Sequence, residues 1–337
     1  MLSMLIIALI MVCLSDISLA GEWTKKGDIP VEITQCGAVV FNNEAYVFGG
    51  PHGGQNTAIK YNPVTDTWTR LADMPNTRQG FSAIEINGKM YMIGCMNNAK
   101  NLPLEIYDPI TDTWESKSVM PNFRGLSGVV AIGHEIYVLG GYKFIGNKNF
   151  LDIHVYNTVT DTWTEKKPMP LLLDSFLAIE YNGKIITFGG FLNEPNGNFF
   201  PVSQVWEYDP VKEIWTQKAD MLTARAFTSQ ISIFNINNKF AIVGGTNNNF
   251  SGADTVLLYD PFNDTWDISP IKIPIPVHAH SLVQIGDKGY LFGGRKDNNN
   301  PINMNTYVYN PFPQPTTSIS PKESLIGTWG KIKSGNQ

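Results

Sequence analysis

Three arginines stand at related places in the chain and could together bind an anion. Arg78 and Arg124 each lie 16 residues before a glycine-containing pair that ends an apolar run. Arg225 is the counterpart in a later unit, where a short insertion shifts the count. Because a guanidinium group binds a carboxylate through two parallel hydrogen bonds, the three are candidates for binding a carboxylate, an acidic peptide or an acidic sugar. The alternative is that each pairs with an acidic side chain or a backbone carbonyl of the next unit.

Two further pairs of residues could hold a metal ion or form a covalent bond. His278 and His280 are alternate residues, so on a strand both side chains would point to one side, as metal ligands must. No third ligand is evident, and surface or packing histidines are the simpler interpretation. We therefore predict no metal, and His280 stays a candidate ligand-binding residue. Cys36 and Cys95 could form a disulfide or remain two buried thiols.

Motifs of common enzymes are absent from the sequence. It contains no nucleophile elbow, phosphate-binding loop or zinc motif. Glu85 could serve as a general acid or base beside a bound sugar acid, but its expected position in the middle of a strand makes it a weak candidate. The sequence therefore predicts no catalytic residue and no cofactor.

A repeated unit must position these residues. The stretch YNPVTDTWTRLADMP, which begins at Tyr61, returns in related form at Tyr107, Tyr156, Tyr208 and Tyr259. Each unit also contains an apolar run that ends in a glycine pair, and a two-residue turn of Asn, Gly, His or Asp lies seven residues earlier. Because Asn and Gly tolerate the positive φ of tight hairpins, this spacing predicts a β-hairpin of strands a and b. The Tyr and Trp segments predict a second hairpin, of strands c and d.

Tryptophan marks the last strand of each unit, with one displaced copy. Trp23, Trp68, Trp114, Trp163, Trp215 and Trp266 recur every 45 to 52 residues, whereas the unit that ends at Tyr309 has no Trp in strand d. Trp23 lies 19 residues before its turn, as do Trp68, Trp114 and Trp163. The segment around Trp23 is therefore predicted to complete the sixth unit. Trp329, the alternative, lies too far beyond Tyr309.

The two ends of the chain are predicted to lie outside the repeats. Residues 1–20 hold a short apolar run followed by Ser18-Leu19-Ala20, a pattern typical of a secretory signal cleaved after Ala20. An uncleaved anchor is the alternative, although the run is shorter than the roughly 20 residues that span a bilayer. Residues 21–312 hold the repeats, and residues 313–337 are predicted to be a loose tail. Asn249 and Asn263 begin sequons for N-glycosylation, which secretion would permit.

Charge limits the class of partner. The formal net charge is −5 and charged residues make up 16% of the chain, which argues against nucleic-acid binding by a basic surface. Beyond the N-terminal run, no segment of the sequence is apolar enough to span a membrane.

The six units resemble kelch repeats, from about residue 22 to residue 312. The resemblance implies an all-β fold, a six-bladed β-propeller of four-stranded blades whose ring is closed by the N-terminal strand. It implies no single activity. Kelch propellers include actin-binding proteins, substrate-recognition modules, a periplasmic sialic-acid mutarotase and copper radical oxidases. The ligands of the last group cannot be placed in this sequence.

Propeller topology predicts where a ligand would bind. The b–c and d–a loops share one face, here called the loop face, and the a–b and c–d turns share the other, the turn face. From glycine pair to Trp the distance is 19, 20, 23, 26 and 22 residues in units one to five, so the b–c loops vary. Variable loops on a rigid scaffold often build binding sites, although harmless variation is the alternative. We therefore expect a secreted, extracellular module that binds a protein or glycan, with the arginines at the channel mouth. The alternative function is a carbohydrate-active enzyme of the sialic-acid mutarotase type.

Overall fold

The computed structural model describes residues 21–311 except 51–55, 97–100, 195–196, 228–231 and 248. The expected secretory signal and the expected tail therefore lie outside the described residues. All regular structure in the described part is β-strand, which confirms the all-β prediction. No helix in this part has the length and hydropathy needed to cross a membrane.

Most of the described strands belong to six four-stranded antiparallel sheets, numbered here in chain order. They are sheet one, β2 (Gly37–Phe41), β3 (Glu44–Phe48), β4 (Ala58–Asn62) and β5 (Thr67–Arg70); sheet two, β6 (Ser82–Ile86), β7 (Lys89–Ile93), β8 (Pro103–Asp108) and β9 (Thr113–Val119); sheet three, β10 (Gly128–Ile132), β11 (Glu135–Leu139), β14 (Ile153–Asn157) and β15 (Thr162–Lys166); sheet four, β17 (Leu177–Tyr181), β18 (Lys184–Phe188), β21 (Val205–Asp209) and β22 (Ile214–Lys218); sheet five, β23 (Ile233–Ile236), β24 (Lys239–Val243), β25 (Val256–Asp260) and β26 (Thr265–Ile268); and sheet six, β27 (Ser281–Ile285), β28 (Lys288–Phe292), β29 (Thr306–Asn310) and β1 (Glu22–Lys25).

The a–b turns have the backbone that their sequences predict. Asn42 and Asn43 both have positive φ, 50° and 59°, as a type I′ turn requires. In the Gly133-His134 turn only the glycine has positive φ, 60°, as in a type II′ turn. The hairpin register therefore follows from local turn chemistry.

The sixth sheet takes its last strand from the N-terminal side of the chain. β1 pairs antiparallel with β29, and Trp23 lies opposite Tyr309. The same Tyr–Trp pair recurs in the other sheets, at Tyr61–Trp68, Tyr107–Trp114, Tyr156–Trp163, Tyr208–Trp215 and Tyr259–Trp266. The 19-residue spacing between Trp23 and its turn thus correctly predicted that the segment around Trp23 pairs with the last strand of the sixth unit.

Aromatic side chains join each sheet to the next. Phe48 of sheet one meets the Tyr107 and Trp114 rings of sheet two edge-on, with centroids 5.7 Å away in both cases. Phe292 of sheet six meets Trp68 of sheet one in the same way, at 5.2 Å. Six buried hydrophobic clusters each span two neighbouring sheets, including sheets six and one. The repeated Tyr and Trp therefore form the contacts between sheets, where an aromatic pair adds about 0.5–1.5 kcal/mol beyond the area it buries.

An acidic residue in each c–d turn also links neighbouring sheets. The Tyr107 hydroxyl donates to Asp112 Oδ1 at 2.6 Å, and the same oxygen accepts from the backbone N–H of Ala72 in the preceding sheet at 2.8 Å. The acidic residues that accept a backbone N–H of the preceding sheet are Asp66, Asp112, Asp161, Glu213 and Asp264. Sequence reasoning did not single them out, although each lies five residues after the repeated Tyr.

Loop-face segments of sheets three and four build two further small sheets. The first pairs β12 (Tyr142–Lys143) with β13 (Lys148–Asn149), and the second contains β16 (Leu173–Asp174), β19 (Phe191–Asn193) and β20 (Phe199–Pro201). Backbone hydrogen bonds between these short strands therefore order part of the loop face next to its variable segments.

Candidate functional site

The first strands of the six sheets surround a central channel. The channel encloses about 290 Å³, and each sheet contributes an apolar side chain to its wall, namely Val39, Ala83, Val129, Ala178, Ile233 and Val283. Glu85 also lines it, but its Oε1 accepts the backbone N–H of Gly88 at 2.6 Å and so caps the a–b turn. Because that turn belongs to the turn face, Glu85 lies at the end of the channel away from the variable loops.

A chain of backbone hydrogen bonds runs around the loop-face end of this channel. It involves the residue shortly before strand a in each sheet, and we call these residues the collar: Gln35, Gly80, Leu126, Ser175, Phe227 and Ala279. The N–H of Gln35 donates to the carbonyl of Ala279, and the N–H groups of Gly80, Leu126, Ser175 and Phe227 each donate to the preceding collar residue. Ala279 has a φ of 55°, a left-handed conformation that costs an L-residue about 1–2 kcal/mol. The channel mouth is therefore held by backbone geometry.

The structure places Arg78 inside sheet two, away from solvent. Its guanidinium and the Glu105 carboxylate form an ion pair at 2.9 Å, and both side chains are 0% exposed. The same guanidinium donates to the carbonyls of Gly94 at 2.8 Å and Pro103 at 2.5 Å. Asn76 donates to the second Glu105 oxygen. Arg78 therefore joins strands a, b and c of its own sheet, because each of its three guanidinium nitrogens has a partner inside that sheet.

Arg124 and Arg225 make the corresponding contacts in sheets three and five. Arg124 donates to the carbonyl of Gly140, the first glycine of its own pair, and Arg225 donates to that of Gly244 at 2.9 Å. Burial lowers the pKa of both guanidinium groups to about 10. All three arginines are thus buried, and their partners belong to their own sheet, where the sequence had suggested the next unit. Their predicted role in binding an acidic ligand stays a prediction.

His278 and His280 are buried beside the collar. They are 3% and 1% exposed, and neither ring has a hydrogen-bond partner among the described residues. Burial, with the positive charge of Arg295 nearby, lowers the pKa of His278 to about 4. Burial and the neighbouring His278 lower that of His280 to about 3. No group of three His, Cys, Asp or Glu side chains in the described part converges as metal ligands would. Both rings are therefore neutral at pH 7 and pack between sheets.

The two cysteines are separate buried thiols, and the disulfide that the sequence allowed is not formed. Cys36 Sγ lies 3.1 Å from the Ser281 hydroxyl, in contact with sheet six, whereas Cys95 Sγ accepts the backbone N–H of Gln79 at 3.4 Å. Burial raises the pKa of the Cys36 thiol to about 12. Both groups therefore act as small packing residues.

Asp174 is a buried acid at the loop face that sequence reasoning missed. It is 6% exposed, precedes the collar residue Ser175, and accepts a hydrogen bond from the Asn193 amide at 2.8 Å. Burial raises its pKa to about 6, in spite of hydrogen bonds that lower it. Its position 15 residues before the first glycine of its pair corresponds to His278 in sheet six, which was the available signal.

The hairpin of β12 and β13 presents exposed apolar side chains on the loop face. Phe144 and Ile145, here called the hairpin tip, are 62% and 44% exposed. The backbone N–H of Phe144 donates to the carbonyl of Met96 in sheet two at 2.8 Å, so the hairpin leans on the neighbouring sheet. The hairpin tip is therefore a fixed projection that could enter a partner surface.

The two sequons lie on opposite faces. Asn249 is exposed in the b–c loop of sheet five, on the loop face, and Asn263 is exposed in the c–d turn of the same sheet, on the turn face. Their glycosylation stays a prediction.

Comparison with known proteins agrees with this architecture. The sequence model for the "KLHDC2/KLHL20/DRC7 Kelch-repeats domain" matches residues 116–294, and a "Kelch motif" model matches residues 33–75. The solved structure of YjhT superposes with a TM-score of 0.68 over 84% of this chain and 96% of that chain, at 15% identity. This likeness shows the fold, a β-propeller.

Curated relatives match over short segments. The chain is 27% identical to beta-scruin of Limulus polyphemus over 23% of this chain and 9% of that one. It is 25% identical to kelch repeat and BTB domain-containing protein 1 of cowpox virus, over 25% and 16% of the two chains. It is 36% identical to F-box/kelch-repeat protein SKIP30 of Arabidopsis thaliana, over 21% and 19%. The chain thus spans less than a fifth of the length of these relatives. Since the first sequence model covers more than half of the chain, the chain belongs to the kelch-repeat family.

Proposed function

We propose that the protein is a secreted binding module that holds an extracellular protein on its loop face. The observation that carries the proposal is the hairpin tip, where Phe144 is 62% exposed on a segment tied down by hydrogen bonds. Aromatic side chains that fill a partner's pocket supply most of the free energy of many protein interfaces. Two of the relatives combine kelch repeats with a BTB domain or an F-box, as their names say.

The hairpin is ordered before any partner arrives. Tyr142 exchanges two backbone hydrogen bonds with Gly125, at 2.8 and 3.0 Å, and its hydroxyl donates to Asn147 at 2.9 Å. A loop that is already ordered loses less entropy on binding. Lys143 and Lys148 flank the hairpin tip, and their ammonium groups lie 5.9 and 4.8 Å from the Phe123 and Phe150 rings. An apolar anchor between two cations favours a partner with an apolar pocket and an acidic rim.

Replacing Phe144 and Ile145 with serine is expected to weaken partner binding at least about tenfold, because an exposed anchor can be worth 2 kcal/mol or more. The partner is first identified by affinity capture from extracellular medium, and Kd is then measured by calorimetry. The matched control is Val64→Ser with Val211→Ser, two turn-face residues that are each 91% exposed. A partner that binds the hairpin variant as tightly as the wild type would exclude the hairpin tip as its docking site.

A second candidate function rests on Asp174. A buried carboxyl group with a pKa of about 6 can exchange a proton near neutral pH, as a general acid or base must. Beside the channel mouth it could catalyse the interconversion of sugar-acid anomers. We expect α-to-β conversion of N-acetylneuraminic acid, followed by NMR, to exceed the spontaneous rate in the wild type and to return to it in Asp174→Asn. A wild-type rate equal to the spontaneous one would remove this function and leave the binding module.

A further inference from the structure

Three phenylalanine rings from sheets four and five meet on the loop face. Phe191 and Phe199 lie 5.5 Å apart between centroids, Phe191 and Phe250 lie 5.6 Å apart, and Phe199 and Phe250 lie 6.3 Å apart. We call them the aromatic patch. Phe191 is 5% exposed and forms its base, whereas Phe199 is 53% exposed. The patch thus leaves part of the Phe199 ring open to solvent above a buried apolar base.

The backbone at Phe250 has an unusual conformation beside the patch. Phe250 has a φ of 53°, a left-handed conformation that is unusual for a bulky side chain. Its loop is closed by Asn247, whose side-chain oxygen accepts the N–H groups of Asn249 at 2.9 Å and Ser251 at 3.2 Å. Phe250 itself donates its N–H to the Asn247 carbonyl at 3.1 Å. Strain of this kind persists where the surrounding contacts impose it and often accompanies a function.

The occupant of the patch follows from its sequence context. Phe250 is the middle residue of the sequon Asn249-Phe250-Ser251, and Asn249 is exposed beside it. A glycan attached to the Asn249 amide would therefore begin one residue from the patch. The first sugar of an N-glycan presents C–H groups and an acetamido methyl group, which pack on phenyl rings. An attached ligand also has a high effective concentration at its own site.

We propose that the N-linked glycan of Asn249 packs its first sugar on the aromatic patch and thereby stabilises the loops of sheets four and five. The proposal does not involve the hairpin tip, and it requires that the chain passes through the secretory pathway. Asn263 provides the internal comparison. Its neighbour Phe262 is 88% exposed and belongs to no ring cluster among the described residues, so a glycan there has no comparable platform.

The test is a thermal double-mutant cycle on the full chain secreted from cultured eukaryotic cells. Thr265→Ala removes the second sequon from all four proteins. Ser251→Ala removes the first sequon while keeping Asn249 and Phe250, and Phe199→Ser removes the exposed ring. With Phe199 present, loss of the sequon is expected to lower Tm by about 2–4 °C, and with Phe199→Ser by less than about 1 °C. The second readout is an NMR spectrum. The N-acetyl methyl resonance of the first sugar should be shifted upfield by the aromatic rings, and this upfield shift should disappear in Phe199→Ser.

Three results would overturn the proposal. One is secreted wild-type protein, with both sequons intact, in which mass spectrometry finds Asn263 occupied and Asn249 unoccupied. Another is an equal Tm loss on sequon removal with and without Phe199, because the glycan would then stabilise the fold without the patch. Secreted protein with neither asparagine occupied also overturns it, whereas retention of the protein inside the cell contradicts the proposed secretion and, with it, the route to this modification.

Discussion

Replacing Arg78 with methionine is expected to lower the free energy of unfolding by about 3–5 kcal/mol, because it leaves the Glu105 carboxylate charged, buried and without its cation. The ion pair spans 2.9 Å and neither side chain is exposed. The arginine also satisfies the carbonyls of Gly94 and Pro103, which would lose their donors. Urea denaturation followed by tryptophan fluorescence measures the change. Against a typical stability of 5–15 kcal/mol, the loss is large enough to unfold part of the population at 37 °C.

Two variants make this prediction specific. Arg70→Met breaks the ion pair between Arg70 and Asp73, two side chains that are 56% and 41% exposed. This change should lower the free energy of unfolding by less than about 1 kcal/mol. Arg78→Met combined with Glu105→Leu removes both charges and should recover a substantial part of the loss. If the double variant were as unstable as Arg78→Met alone, the cost would come from the lost hydrogen bonds to Gly94 and Pro103, and the unpaired charge would not be its cause.

Stability is expected to fall steeply between pH 6.5 and pH 4, because the fold holds two histidines in the neutral form. His278 and His280 have pKa values of about 4 and about 3 in the fold, against about 6.5 in the unfolded chain. Below pH 6.5 the unfolded chain therefore binds protons that the folded chain does not. The loss is absent above pH 6.5 and complete only below the folded pKa values. For both histidines together it is on the order of 8 kcal/mol. Asp174, with its pKa raised to about 6, acts in the opposite direction and offsets part of it between pH 6 and 4.

The measurement is the midpoint of urea unfolding from pH 7.5 to pH 4.5. Leucine at both histidine positions keeps the volume and removes the titrating groups, so the midpoint should then vary much less with pH. His134→Gln, at an exposed turn, serves as the control and should reproduce the wild-type curve. An unchanged pH dependence in the leucine variant would contradict the prediction, because the c–d turn carboxylates with lowered pKa values lose their stabilisation only below the measured pH range. Asp66, Asp161 and Asp264 have lowered pKa values there, so their stabilisation is lost as pH falls below about 4.

Local spacing was sufficient to predict most of the fold. The Asn42-Asn43 turn and the Tyr61–Trp68 pair follow from residues whose backbone preferences or side-chain size admit few alternatives. The pairing of Trp23 with Tyr309 joins residues that are far apart in the sequence. It could be predicted because the sixth unit has no Trp in strand d, whereas the segment around Trp23 belongs to no other unit. In a repeat protein the same contact between neighbouring units recurs several times along the sequence. A contact between residues far apart in the sequence can therefore be inferred from its other copies.

The spacing of the arginines alone did not predict that they are buried. The position 16 residues before the glycine pair is Arg in sheets two and three but Ile33, Leu173 and Val277 in sheets one, four and six. Those three side chains are 0%, 1% and 0% exposed. Aliphatic residues at equivalent places indicated a buried site, and Arg78 fits it because Glu105, 27 residues later, supplies the charge. Asp174 was missed for a related reason, since its raised pKa depends on burial under β19 and β20, which belong to one irregular loop.

The pairing of β1 with β29 also determines how the molecule would respond to mechanical force. Glu22 lies opposite Asn310, so the chain enters and leaves the fold at the same end of one strand pair. Pulling on the two ends would load that ladder one hydrogen bond at a time, in the order Glu22 to Lys25, as when a zipper opens. The hydrophobic contacts of Trp23 with Tyr309 would be the first aromatic packing to separate. Tension applied instead across the middle of a sheet would shear several hydrogen bonds at once, so the fold should open more easily when it is pulled at Glu22 and Asn310.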